Sequence, residues 1–175
     1  MPLLMLLMNN FSIKHKTMYK CGKQMESKVK VKDVEYGDFK WQPNEDNSEF
    51  TLLATAKITL TLNDGKLYIF TFKKNFICDG LSVPKAFQWF LPKWSKNNAL
   101  YNLAGALHDA LYANEGFGVF NRDDSDAIFR GLLREAGCNR FHASTADFIL
   151  WIFGSGHWAD DTFNCKDLVT LKIIQ

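Results

Sequence analysis

The 175-residue sequence predicts an α+β domain: an N-terminal antiparallel β-meander and hairpin sheet, followed by about three packed helices. Two observations carry that assignment. Apolar and polar residues alternate in strand-like runs up to Phe72, whereas from Asn97 onward apolar residues recur at helical spacing. A third observation, the Gly- and Pro-punctuated stretch between the two regions, marks where sheet and helices join.

Lys28-Val29-Lys30-Val31-Lys32 alternates and predicts a half-buried strand. Ile58-Thr59-Leu60-Thr61-Leu62 alternates again, Asn63-Asp64-Gly65-Lys66 supplies a turn centred on Asp-Gly, and Leu67 to Phe72 returns rich in β-formers. This pattern predicts a hairpin with a tight primed turn. Phe76-Ile77-Cys78 reads as a short strand that delivers Asp79 to a sheet edge, with Gly80 and Pro84 halting regular structure. Ala99, Leu100, Leu103, Ala104 and Leu107 mark one face of a first helix, and the i to i+4 step puts His108 and Tyr112 on one side of it. His108 and Asp109 read as the end of that apolar pattern, with Asp109 about a quarter turn away from His108. A second helix opens near Asn121 to Asp126, with acids at its positive end, and closes at Gly137. A third runs from about Phe141 to Phe153, where its apolar circumference predicts a central position and Gly154 and Gly156 end it.

A composition of 47% hydrophobic and 14% aromatic residues excludes intrinsic disorder and supports one domain over residues 28–175. Residues 1–27 read as a flexible segment or extension, with Met8, Met18 and Met25 as alternative starts. The apolar run Leu3 to Met8 is too short for a membrane span and has no basic n-region before it. Net charge is +2, distributed as +4 over residues 1–40, +2 over 41–96 and −4 over 97–175. The acidic half argues against duplex nucleic-acid binding, which needs clustered Lys and Arg. Cys21, Cys78, Cys138 and Cys165 show no C-x-x-C pairing, which excludes a zinc knuckle and suits free thiols in a reducing cytoplasm.

Two polar motifs interrupt this frame: Asp79-Gly80-Leu81-Ser82-Val83-Pro84 and His108-Asp109-Ala110-Leu111-Tyr112. Loops after strands and polar groups set into apolar helices are where chemistry concentrates, so both nominate one shared site. Phe76-x-x-Asp79-Gly80-x-Ser82-Val83-Pro84, His108-Asp109-x-x-Tyr112 and Arg122-x-x-x-Asp126-x-x-Phe129, followed by an aromatic helix, resemble the domain-of-unknown-function family 1353 of bacteriophages and prophages. The similarity covers roughly Trp41 to Trp158. Cys78 stands where that family usually shows Thr, and Leu81 where a smaller residue is common. The resemblance implies a phage origin and a place in the host cytoplasm. It implies no established reaction.

Asp79, His108, Asp109 and Asp126 make an oxygen-rich set suited to a divalent cation, Mg or Mn before Zn, that would activate a water. In that reading Asp79, His108 and Asp109 are catalytic, while Ser82, Tyr112 and Arg122 contact substrate. Without a cation, His108 is a general base oriented by a carboxylate, with water preferred to Ser82 as nucleophile because Ser82 lacks a G-x-S-x-G elbow. The structural alternative has His108-Asp109 capping the helix and Asp79 holding the Gly80 turn. Phe87, Trp89, Phe90 and Trp94 lie between the motifs, either as a cover over the gap between sheet and helices or as a wall for a base or sugar ring. His15, His142 and His157 have no motif around them. A nucleotide phosphohydrolase of the His-Asp domain type fits poorly, since no upstream His lies on a neighbouring helix. Three function classes follow: a small metal-dependent hydrolase of a nucleotide or cell-wall-type substrate, a non-catalytic anti-defence protein sequestering a host nucleotide signal, and a virion or assembly factor.

Overall fold

The computed structural model describes residues 29–81, 88–89, 91–153, 158 and 167–175. The proposed extension at 1–27, Lys28, Ser82, Phe87, Phe90, the two helix-ending glycines Gly154 and Gly156, His157, Cys21 and Cys165 all lie outside these residues. The described chain is mixed α+β, with antiparallel sheets followed by three helices and a C-terminal strand.

Strand β1 (Val31–Tyr36) begins three residues later than the Lys28–Lys32 alternation predicts, and only Val31 and Val34 of it are half-buried. The reason is a register shift between Val31 and Asp33 against its partner, which replaces period two by a bulge. Strands β2 (Trp41–Pro43) and β3 (Phe50–Leu52) precede the hairpin of β4 (Ala56–Leu62) and β5 (Leu67–Phe72). In that hairpin Ala56, Ile58, Leu60 and Leu62 face Tyr68, Phe70 and Phe72 in the core, as the alternation requires. Its turn is not the primed one expected. Gly65 N–H donates to Leu62 O at 3.0 Å and Gly65 has φ +80°, while Asn63 and Asp64 keep negative φ. This is a type I turn followed by a left-handed glycine bulge, which adds a residue to the loop and keeps the twist of the strands.

Strand β6 (Ile77–Cys78) pairs with β3 rather than with the hairpin, so β2, β3 and β6 form a second sheet in that order. The larger sheet has the order β1-β4-β5-β7, all antiparallel, with β7 (Val169–Ile174) along the free edge of β5. Strand β7 is absent from the sequence expectation, although Val169, Leu171 and Ile173 alternate with Thr170 and Lys172.

Helix α1 (Ala99–Ala113) is the central helix, with every residue from Leu100 to Ala113 buried. Its Ala and Gly residues let α2, the second sheet's β6 and the following turn approach it from several sides. The sequence expectation gave that central role to α3 (Arg140–Phe153), but Phe141 and Phe148 are exposed there and α3 packs at the periphery against α2. Helix α2 (Arg122–Glu135) starts with a capping box: Asn121 Oδ1 accepts from Asp124 N–H at 2.9 Å, and Asp124 Oδ2 accepts from Asn121 N–H. Between α1 and α2, residues Glu115 to Gly118 all have positive φ. Packing of the Phe117 ring on Phe70, centroids 5.8 Å apart, offsets that strained backbone and turns the chain back toward Asn121.

Gly80 joins the two layers. It has φ +81°, and an added Cβ would overlap the carbonyl oxygen of Lys93. On its other side the Gly80 carbonyl comes within 3.1 Å of where a Cβ at Gly105 of α1 would stand. Gly80→Ala is therefore expected to cost about 3 kcal/mol or more of unfolding free energy, from left-handed strain and overlap together. Gly118→Ala, at φ +68° with nothing within 4 Å, should cost only about 1 kcal/mol. Urea unfolding of both variants beside the parent protein measures the difference.

Candidate functional site

The first motif is built by the end of β6 and a loop that lies on α1. Cys78 is buried, whereas the Asp79 side chain emerges partly exposed, as successive strand residues must. The main chain turns at Gly80, and Leu81 N–H donates to Lys93 O at 2.9 Å. The loop carrying Lys93 is itself held on α1: Tyr101 Oη donates to Pro92 O at 2.6 Å, and the Asn102 side chain exchanges 2.8 Å bonds with the Ser95 backbone. Lys93 Nζ is thereby placed 3.7 Å from Asp79 Oδ2 and donates to Ser48 O at 2.7 Å. Lys93 has no sequence motif around it, and only this fold brings it to Asp79.

His108 and Asp109 do not end α1. The helix continues four residues further, to Ala113, because Ala110, Leu111 and Ala113 extend the buried surface past them. A capping role for His108-Asp109 is thus replaced by a buried position in the body of the helix. His108 Nε2 lies 3.0 Å from Asp126 Oδ1 across the α1–α2 contact, and Tyr112 Oη donates to that same oxygen at 2.6 Å. Arg122 completes the group. Its Nε donates to Tyr112 Oη at 3.3 Å and lies 3.9 Å from Asp126 Oδ2, while its Nη2 donates to Leu150 O on α3 at 3.1 Å. Burial, then the charge of Asp126, pushes the Tyr112 hydroxyl well above the usual phenol range, so it stays a proton donor. The His108 ring is flanked by Tyr112 and Phe129, centroids 4.1 and 4.9 Å away.

Asp109 projects from the next position of α1 toward the Gly80 turn, with 6% of its surface exposed. Its Oδ2 has no hydrogen-bond partner among the described residues. Burial raises its carboxyl well above the ordinary 3.8, the charge of Asp79 raises it further, and Lys93 only partly counters them. These surroundings favour the protonated form of Asp109, which lies beside a histidine. Both line a cavity of about 20 Å³, closed by Gly80, Leu81, Phe129 and Ile149, which has room for a single water.

The residues expected to share one site therefore fall into two adjoining groups. Asp79 and Lys93 pair at the Gly80 turn and their charges act on Asp109, while His108, Tyr112, Arg122 and Asp126 form a second group, and the two groups meet where Asp109 and His108 line one cavity. Among the described residues no three His, Cys, Asp or Glu side chains come together as ligands for an ion. Asp126 Oδ1 lies within hydrogen-bond distance of two protein groups, His108 Nε2 and Tyr112 Oη. Trp94 covers the second sheet, stacked on Phe50 at 3.6 Å, and Trp89 is exposed.

A family model described as "Protein of unknown function (DUF1353)" matches residues 56–148. The chain belongs to the DUF1353 family. The matched span is narrower than the Trp41 to Trp158 resemblance, yet it holds Asp79, His108, Asp109, Tyr112, Arg122 and Asp126. No curated protein and no solved structure matches the chain. Among the described residues no helix is long and apolar enough to cross a membrane.

The raised proton affinity of Asp109 makes the stability of this DUF1353 protein depend on pH in a defined direction. The folded pKa of Asp109 lies above its unfolded value near 3.8, so the folded state holds the extra proton and stability falls as pH rises between the two values. Asp109→Asn removes that dependence. Relative to the parent, the variant should gain with rising pH by up to about 1.4 kcal/mol per unit within that window. Denaturant unfolding of both proteins at pH 4, 6 and 8 tests the sign, and a difference independent of pH would contradict the raised proton affinity.

Proposed function

We propose that the protein is a small hydrolase in which His108 and Asp109 move protons, with water as the nucleophile. The observation that carries this reading is the buried carboxyl of Asp109, whose Oδ2 has no hydrogen-bond partner among the described residues, lining the same water-sized cavity as His108. Burial that raises the proton affinity of a carboxyl is how an acid role is prepared. A carboxylate facing His108 Nε2 holds that nitrogen as the N–H tautomer, leaving Nδ1 as the atom able to accept a proton from water. Asp126 also stabilises the imidazolium that forms, while Tyr112 and Arg122 fix the Asp126 carboxylate. Asp109 then gives its proton to the leaving group and regains one when the imidazolium is discharged. The substrate class is a nucleotide or a cell-wall-type ester or amide, approached beside Tyr112, whose ring meets Trp158 edge-on at 5.1 Å.

A second reading rests on a different feature. Arg122 ties α2 to the backbone of α3, and both Asp126 oxygens face protein donors, as in a network whose purpose is to lock helices together. In that case the protein serves by binding, as a sequestering anti-defence protein or an assembly factor.

The test is turnover of a panel of nucleotides, cyclic dinucleotides and peptidoglycan fragments, with and without chelator. For the hydrolase, His108→Asn and Asp109→Asn each lower kcat about 10²- to 10⁴-fold while melting temperatures stay within a few degrees of the parent. Activity should survive chelation, and activity restored only by added Mg or Mn would return a cation to the site. Tight binding without turnover favours sequestration. No turnover and no binding, with both variants strongly destabilised, favours the locking network.

A further inference from the structure

The chain has only four arginines, and Arg130, Arg134 and Arg140 line one cleft, while the fourth, Arg122, belongs to the site above. This clustering occurs in the half of the chain whose net charge is −4. The cleft has a volume of about 320 Å³ and opens between β1, the C-terminal half of α2 and the first turns of α3. Gly131 makes it possible: a Cβ there would stand 2.8 Å from Val31 Cγ2, so β1 comes directly against α2 and gives the cleft an apolar floor with Ala127 and Ala143. Lys30 adds a fourth positive charge to the rim, and Glu135 is the single acid in the lining among the described residues.

Arg140 occupies the first turn of α3, the positive end of the helix dipole, and that turn contains no acid. Arg134 lies in the last turn of α2, where the dipole favours a cation, and its Nη1 donates to Cys138 O at 2.6 Å. Four basic side chains around an apolar floor, one of them at an unfavourable helix end, are a local rule broken without gain to the fold, and such places are where function is met. An anion in the cleft would resolve the repulsion. The planar fork of a guanidinium forms paired hydrogen bonds to two oxygens of an oxyanion such as phosphate, which a lysine rim would not distinguish as well. The volume is at the small end of ligand pockets and suits one mononucleotide-sized molecule, with its ring on Val31 and Ala143.

The geometry points to this cleft as a binding site for a phosphate monoester of nucleotide size, separate from the His108 cavity. The full-length chain is titrated calorimetrically with adenosine monophosphate, inorganic phosphate and adenosine at low and moderate salt. Adenosine monophosphate binds, phosphate binds more weakly, adenosine gives no heat, and binding weakens with salt. Arg140→Gln combined with Lys30→Gln lowers the affinity by about tenfold or more without moving the melting curve, since both side chains are exposed. Arg140→Lys, which keeps the charge and removes the fork, also weakens binding. The proposal is overturned by absence of heat with either phosphate compound at millimolar concentration, by adenosine binding as well as its monophosphate, or by unchanged affinity in the double variant.

Discussion

The contact between Gly80 and Gly105 is the constraint on which the rest of the arrangement depends. Gly80 is held between the Lys93 carbonyl and α1, and no side chain fits on either side of that contact. The close approach has two consequences. It brings the end of the small sheet onto the buried helix, and it narrows the space beside the Asp109 carboxyl to a water-sized cavity. A turn a few ångströms further out would let water reach Asp109, and the carboxyl would return toward its ordinary ionisation.

Burial of α1 then dictates how its polar residues behave. A helix with nearly every side chain covered can carry His108 and Asp109 only if each is paired or neutral. His108 finds a carboxylate, Asp126, whose other donors come from Tyr112 and Arg122, so that polar group is satisfied and links all three helices. Asp109 has Asp79 opposing its charge and Lys93 favouring it, and desolvation is the largest influence, raising its proton affinity. Two titratable groups one residue apart thus acquire opposite roles from the faces on which they sit.

Much of the fold is legible locally. The β4–β5 alternation, the Asn121 and Asp124 cap and the helical spacing from Ala99 depend on near neighbours, and the elements form close to where those patterns put them. The misplaced features depend on distant partners. The bulge in β1 is imposed by pairing with β4, the peripheral seat of α3 is set by what α1 already covers, and β7 is recruited by the open edge of β5. The turn after Leu62 shows the limit on a smaller scale, since Asp-Gly suits two hairpin loops and the register of the strands selects one.

The sequence by itself determined which residues are chemically unusual: Asp79 at a strand end before a glycine, His108 and Asp109 in an apolar helix, and Asp126 in the first turns of another. It also determined membership of the DUF1353 family, because motif order and spacing are linear properties of the chain. Tertiary structure alone decided which of these residues meet. His108 and Asp126 are 18 positions apart and pair only because α1 and α2 pack side by side. Lys93 reaches Asp79 through a loop held down on α1, and three arginines from two helices come to share a cleft with β1. Desolvation and Coulomb interactions depend on distance through space, which strand and helix periodicities do not encode.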